Sequence, residues 1–404
     1  MNEKSQSPRV EDWNVLISGL VLTSRTETIE DYLRTRVVRL GVVGLAGPFH
    51  KAAQGRYTEY QGGNRTEEIP LRGLHVPRAN SLAGQVRLVL AFGWYIWNIL
   101  RQGWRKRPWD VFIGISCFSA LMGVVLKKTG AVHRLIYYSI DYYPTPPKRG
   151  FARMLVWAFR WADRWCVRNS DQVWHISQRI AEARATLGGL PSGRYPHIEM
   201  PLSYRQSLMR RYPVGSMERW TIGFVGSLTE SQGVQLLIEA LPELVRRFPE
   251  LKVRIIGRGP YAGELEALVE QSGYKDRVVF HGFVQDEEEV LDIIAHCAVA
   301  VAPWTQTADN NILYADPGKP KLYMCLGVPC VVTRGPDIAA MVERQGAGRA
   351  IDYREDELVA ALESLLTDDR VLQKARDQAY ELGHEFVSEK IIRDALEKTF
   401  QKLG

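Results

Sequence analysis

Twice along this chain, short apolar runs closed by glycine or proline alternate with amphipathic helical stretches, and a polar stretch separates the two series. In the first series, strands are expected at 15–18, 42–45, 110–115, 135–139 and 172–176, with the clearest helices at 151–167 and 177–185. Residues 203–218, rich in arginine and holding Pro213 and Gly215, break the pattern and read as a linker. The alternation restarts at 220–225 and runs through LKVRIIG, RVVFHG, VAVAPW, VPCVVT and GRAI, with helices such as 235–248 and 261–272 between them. From 355 to about 402 the chain reads as helix. Strands alternating with helices imply parallel sheets covered on both faces. The expected class is therefore α/β, two doubly wound Rossmann-like halves facing across a cleft. Ligands in such folds bind outside the carboxyl ends of the strands.

At 404 residues the chain exceeds what one hydrophobic core usually serves, which also favours two domains. A hydrophobic content of 46% with 24% charged residues excludes a disordered or fibrous class. Cys117, Cys166, Cys297, Cys325 and Cys330 lie in apolar segments with no C-x-x-C pair, so buried thiols in a reducing compartment are expected, not a disulfide frame or a metal site. The polar stretch 1–12 has no signal-peptide core, and the expected location is cytoplasmic. No histidine falls in a spacing such as H-E-x-x-H, and neither a metal nor another cofactor is expected.

Four loops at expected strand ends in the second half share one character: Gly226 and Ser227; Gly257, Arg258 and Gly259; His281 to Phe283; and Pro303 with Trp304. Glycine permits close backbone approach, and helix N-termini beyond such loops favour anions, although glycine also simply makes tight turns. In the segment DPGKPK, Asp316, Pro317 and Pro320 mark a helix start, which puts Lys319 and Lys321 in its first turn. Cations there oppose the helix dipole unless an anion is present, so this pair is a candidate phosphate grip.

The stretches IGFVGSL, QGVQLLIEALPEL, LKVRIIGRGP, RVVFHGFV, AVAVAPW and PGKPKLYMCLGVPCVV resemble, in order and spacing, the donor domain of the family-four (group 1) retaining glycosyltransferases of the GT-B fold. DVFIGISCFSALMGVVLKKTG, LIYYSIDYYP and DQVWHISQRI resemble the first domain of members that build bacterial surface polysaccharides or glycolipids. The resemblance implies an acceptor-side domain over 1–205, joined by a terminal helix at 386–404 that crosses back, and a nucleotide-sugar donor domain over 206–385. It also implies a hexosyltransferase that uses a nucleotide diphosphate sugar such as a UDP-sugar, with retention, on a saccharide or lipid-linked acceptor. The chain departs from the family pattern in four places. The arginine and lysine that grip the pyrophosphate align with Ser227 and Gln232, and the two glutamates near the last loop align with Tyr314 and Leu322. Lys319 and Lys321 are expected to replace the cations, and Asp316 or Asp309 to take over contacts with sugar hydroxyls.

In the first half, Asp141 follows a strand and precedes Pro144, where similar enzymes place a histidine or an acid beside the acceptor. Its carboxylate could orient or deprotonate an acceptor hydroxyl, or merely cap a turn. Thr23, Ser24 and Arg25, after the first strand, are the other acceptor-side candidates. Residues 88–100 (LVLAFGWYIWNIL) are too few to span a bilayer, and tryptophans interleave with Arg101, Arg105, Lys106 and Arg107 up to residue 109. That texture suits a helix lying on an anionic membrane, with burial against the sheet as the alternative. A net charge of +6 alone would also suit nucleic acid, which nothing else supports. The expected partners are thus a nucleotide sugar, an acceptor and the inner face of a plasma membrane. Two rival functions remain at this point: a sugar-nucleotide epimerase of the same fold, and a non-catalytic glycosyltransferase-like subunit.

Overall fold

The computed structural model describes residues 10–20, 24–45, 55–71, 73, 76, 82–143, 150–212, 214–307 and 311–403. It divides into two units, Met1–Ser203 with Ser388–Gly404, and Tyr204–Val387.

The first unit opens with β1 (Asn14–Leu20), α1 (Ser24–Leu33) and β2 (Arg39–Leu45). The hairpin β3 (Gly55–Gln61) and β4 (Asn64–Leu71) follows, then α2 (Leu82–Arg105), β5 (Trp109–Ile115) and α3 (Cys117–Lys128). The series ends with β6 (Val132–Ser139), α4 (Phe151–Asn169), β7 (Gln172–His175), α5 (Gln178–Gly188) and β8 (His197–Glu199). The strands form one 8-stranded sheet in the order β4-β3-β2-β1-β5-β6-β7-β8. Helices α2, α3 and α4 pack one face of it, where Leu16, Phe112, Leu135 and Tyr137 form the core with Tyr95, Ile99 and Cys166.

The sheet corrects the expectation of purely parallel strands: β3 pairs antiparallel with β2 and with β4. The hairpin escapes a search for apolar runs because β4 (NRTEEIPL) is largely exposed and charged. Its signal is the turn glycine pair Gly62 and Gly63, at φ 55° and 84°, between two β-capable runs.

Under the carboxyl ends of β6 and β7 lies a closed polar cluster. Arg184, on α5, donates through Nε to Asp163 Oδ2 at 2.7 Å and through Nη2 to Ser139 Oγ at 2.8 Å, and the Tyr137 hydroxyl donates to Asp163 Oδ1 at 2.7 Å. Burial, and then the Arg184 charge, push the His175 imidazole well below its usual range, so it stays neutral beside the guanidinium.

The second unit runs β9 (Glu218–Val225), α6 (Val234–Glu239), α7 (Leu241–Arg247), β10 (Lys252–Ile256), α8 (Ala262–Ser272), β11 (Val278–Gly282) and α9 (Glu287–Ala295). It continues with β12 (Cys297–Ala302), α10 (Gly318–Cys325), β13 (Cys330–Thr333), α11 (Asp337–Arg344) and β14 (Gly348–Ile351), and closes with α12 (Glu355–Leu366) and α13 (Asp369–Gly383). Its 6-stranded sheet has the order β11-β10-β9-β12-β13-β14, and every pairing is parallel. β12 is buried along its whole length, as a central strand covered on both faces must be. The last helix, α14 (Ser388–Leu403), belongs to the first unit, where Trp174 Nε1 donates to Thr399 Oγ1 at 2.9 Å in a fully buried contact.

Replacing Arg184 with Met strands the Asp163 carboxylate without a counter-charge. The expected loss is about 3–5 kcal/mol, read as an earlier denaturant midpoint of the first unit's transition.

Candidate active site

In the second unit, successive strands run outward in opposite directions from β9 and β12, so the sheet order reverses between these two neighbours. A doubly wound sheet opens a crevice at that point, outside the carboxyl ends of its strands. All four glycine- or aromatic-bearing loops follow strands of the contiguous set β11-β10-β9-β12, and the fold therefore gathers them at one edge.

The glycines serve this edge in two ways. A Cβ on Gly257, at φ 144°, would lie 1.8 Å from the Gly226 carbonyl oxygen, and one on Gly259 would lie 2.0 Å from that of Leu228. These two residues let one loop pack on the next. Gly226 faces a side chain instead: a Cβ there, at φ 150°, would sit 2.3 Å from Cε of Lys319.

Lys319 enters from the first turn of α10, after Pro317 at the N-cap. Its Nζ donates to Gln232 Oε1, which also accepts from Trp304 Nε1 at 3.2 Å. The ammonium lies 4.9 Å from the Phe224 ring centre and 5.3 Å from that of Trp304. Among the described residues no carboxylate pairs with it, and burial alone pushes its pKa down to about 7. An ammonium held this way is poised to gain from an incoming anion. Lys319 also reaches Gln232, the position that aligns with the family's lysine, so a cation returns to that place from another element.

Lys321 does something different. It is buried, its Nζ donates to Asp316 Oδ2 at 2.5 Å, and it lies 4.7 Å from the Phe386 ring centre. This corrects the view of the two lysines as an equal pair. The Lys321 charge is neutralised inside the unit, and Asp316, the carboxylate expected at the sugar, is held in this ion pair.

Farther along the edge, Ser227 is exposed, and the Arg258 guanidinium lies 4.4 Å from the ring centre of Phe283, itself 61% exposed. His281 is partly buried, its Nε2 has no hydrogen-bond partner, and burial followed by Arg254 lowers its pKa. The exposed Phe283 ring is an aromatic face on which a flat heterocycle can stack.

In the first unit, Asp141 is exposed just beyond the carboxyl end of β6. Ser24 and Arg25 open α1 after β1, on the same edge; Thr23 and Asp309 lie outside the described residues. One residue that the sequence reading missed is Ser116, between β5 and α3, a non-glycine at φ 79° whose amide donates to the Tyr138 carbonyl at 2.9 Å. It stands where this sheet's order reverses, between β1 and β5. Only the compact G-I-S-C joint between strand and helix hints at it.

Residues 219–368 match the family described as glycosyl transferases group 1, and residues 23–196 match the glycosyl transferase 4-like domain. The chain is 25% identical over 278 residues to alpha-D-kanosaminyltransferase of Streptomyces kanamyceticus, which covers 66% of this chain and 69% of the relative. It is 27% identical over 274 residues to a GDP-mannose-dependent alpha-(1-6)-phosphatidylinositol monomannoside mannosyltransferase of Mycolicibacterium smegmatis, covering 64% and 68%. In fold it is similar to sucrose-phosphate synthase of Thermosynechococcus elongatus (TM-score 0.71, 16% identity, 97% and 99% covered). It is also similar to Anabaena HepE in complex with UDP-glucose (TM-score 0.68, 17% identity, 96% and 99% covered).

The two lysines separate under substitution. Lys321→Met leaves Asp316 without its counter-charge and is expected to cost roughly 3–5 kcal/mol. Lys319→Met removes an ammonium that has no carboxylate partner and is expected to leave the melting temperature unchanged or raised.

Proposed function

From the premise that the chain belongs to the group 1 glycosyltransferases of the GT-B fold, we propose that it moves a hexosyl group from a nucleotide diphosphate sugar to an acceptor hydroxyl, with retention of configuration, in the assembly of a bacterial surface polysaccharide or glycolipid. The observation that carries this reading is the Lys319 ammonium, held at the sheet's switch point with no carboxylate partner among the described residues. The second unit is then the donor domain. The diphosphate lies on the loop of Gly226 and Ser227 and on the first-turn amides of α10, whose Gly318 and Lys319 N–H groups lack intrahelical acceptors. Lys319 meets the charge that builds on the leaving diphosphate, which stabilises the transition state more than the bound donor. The base lies toward His281, Arg258 and Phe283, and uridine is the first candidate because HepE is solved with UDP and UDP-glucose.

The first unit takes the acceptor, a saccharide or a lipid-linked sugar. Asp141 would orient its hydroxyl, and Ser24 and Arg25 would flank it. The chain would work at the cytoplasmic face of a membrane, touching anionic lipid through residues 88–109. We propose no metal for the reaction, since Lys319 and the backbone amides supply the positive charge that a diphosphate leaving group requires.

Two measurements test the reading. Titrating UDP, GDP and dTDP calorimetrically should find one that binds, and Lys319→Ala should weaken it at least tenfold. The sign of the pH effect follows from the lysine. Below about 7 the ammonium is charged in the free protein, and above it an anion must first restore the proton. Affinity should fall about tenfold per pH unit from 7 to 9 and flatten in Lys319→Ala. Transfer to an acceptor should survive EDTA. An isomerised donor formed without acceptor would point to an epimerase, and failure of all three nucleotides to bind would point to a non-catalytic subunit.

A further inference from the structure

Helix α4 has the wrong surface for a helix that merely covers a sheet. Its inner side is conventional, with Cys166 and Val167 buried in the core and Asp163 buried against Arg184. Its outer side carries Met154, Trp157 (68% exposed) and Trp161 (56% exposed) at helical spacing. Around them stand Arg153, Arg160, Arg164 and Arg168, while the one acidic residue of the helix, Asp163, faces inward. Helix α2 repeats the arrangement. Leu88, Ala91, Tyr95 and Ile99 are buried, yet Leu90 is 58% and Trp97 57% exposed on the opposite side. Arg87, Arg101 and Arg105 are the charged residues of this 24-residue helix, which holds no acid.

The two helices flank α3 on one face of the same sheet. Phe92 of α2 meets Phe118, the second residue of α3, at 5.1 Å between ring centres, and Cys117 Sγ, on the first residue of α3, lies 3.7 Å from the Phe159 carbonyl of α4. The parts of α2 and α4 before Phe92 and Phe159, which include Leu90 and Trp157 two residues ahead of these contacts, therefore lie past the level where α3 begins. They project at the carboxyl edge of the sheet, the edge that also carries Asp141 and Ser116.

We propose that the outer faces of α2 and α4 together form a docking surface for an anionic phospholipid bilayer. α4 adds a second contact to the one proposed for residues 88–109. Charge complementarity chooses this occupant: both outer faces join large apolar groups to arginine alone, the combination that an interface of acyl chains and phosphate headgroups accepts. Tryptophan places its ring at headgroup depth, and arginine reaches phosphate while its stem stays among apolar groups. Among the described residues no helix is long and apolar enough to cross a membrane. Docking along this edge would hold Asp141 beside the headgroups, where the sugar of a lipid-linked acceptor sits. That last step rests on the transferase reading, and the docking itself does not.

The test is flotation of the full chain with vesicles of phosphatidylcholine alone or with a quarter phosphatidylglycerol. Binding should require phosphatidylglycerol and should weaken with salt. It should drop at least tenfold in the double variant Trp157→Ser, Trp161→Ser and in Arg164→Glu, with melting temperatures unchanged. The pair Leu90→Ser, Trp97→Ser gives an independent reading from α2 should the α4 pair fail to fold. Failure to bind anionic vesicles, equal binding to neutral ones, or undiminished binding by the α4 variants overturns the proposal. So does a self-association that the α4 variants dissolve, since the patch would then be a protein interface. The thermal shift produced by a nucleoside diphosphate should be the same in these variants as in the parent chain. Its absence from both would end the donor reading and leave the docking result standing.

Discussion

Bringing an ammonium group out of water is costly unless something answers its charge, and the carboxyl edge of the second unit holds one, on Lys319, that no carboxylate among the described residues answers. Lys319 reaches between the loops of β9 and β12, takes one amide oxygen from Gln232, and is walled by the rings of Phe224 and Trp304. Each neighbouring feature fits this placement. Gly226 leaves room for the lysine stem, Gly257 lets the next loop close behind it, and Pro317 turns the start of α10 toward the switch point. Two other buried cations are answered by carboxylates, Arg184 by Asp163 and Lys321 by Asp316, while Arg376 donates to the carbonyls of Cys297 and Ala295. Those three cations are committed to acceptors of the chain itself, whereas among the described residues no carboxylate pairs with Lys319.

Departure from the family pattern takes on a physical meaning here. An ammonium need only arrive at the right point in space, and the element that carries it is free to vary. With glutamine at 232, the position aligned with the family's lysine, charge comes from α10 instead, and the glutamine becomes the acceptor that holds it. Gln232 also binds Trp304 Nε1, which fixes the amide's orientation and so the lysine's. Charge delivered from a helix N-terminus comes with backbone amides pointing the same way, so one short element would offer two kinds of donor to an anion bound there.

The fold was largely legible because parallel strands buried on both faces are continuous apolar runs; CAVAVA and CVVT can hardly be anything else. The hairpin was not, because an edge strand need not be apolar and β4 is mostly charged. At the site, the sequence pointed to the loops and to Lys319 but could not tell Lys319 from Lys321. Both stand in one helical turn, and their directions differ by roughly 200°, two steps of about 100° each. One therefore meets the crevice and the other the core. Ser116 stayed hidden because its signature is a backbone angle, and serine before a helix is ordinarily read as a cap.

The exposed tryptophans pose the remaining question of consistency. A sequence that buries Tyr95 and Ile99 on one side of α2 and exposes Trp97 and Leu90 on the other has not failed to pattern the helix. It carries apolar groups on two faces, one packed against the sheet and one turned outward together with Arg87, Arg101 and Arg105. α4 does the same on the far side of α3, so the feature belongs to one face of the unit and not to a single helix. In a chain whose β4 is charged and whose α12 and α13 present ordinary polar outer faces, that asymmetry is selective. Solubility alone would remove it at little cost to the core, since none of these side chains packs there. Its persistence on two separate helices at one edge is what a surface held against a bilayer would require.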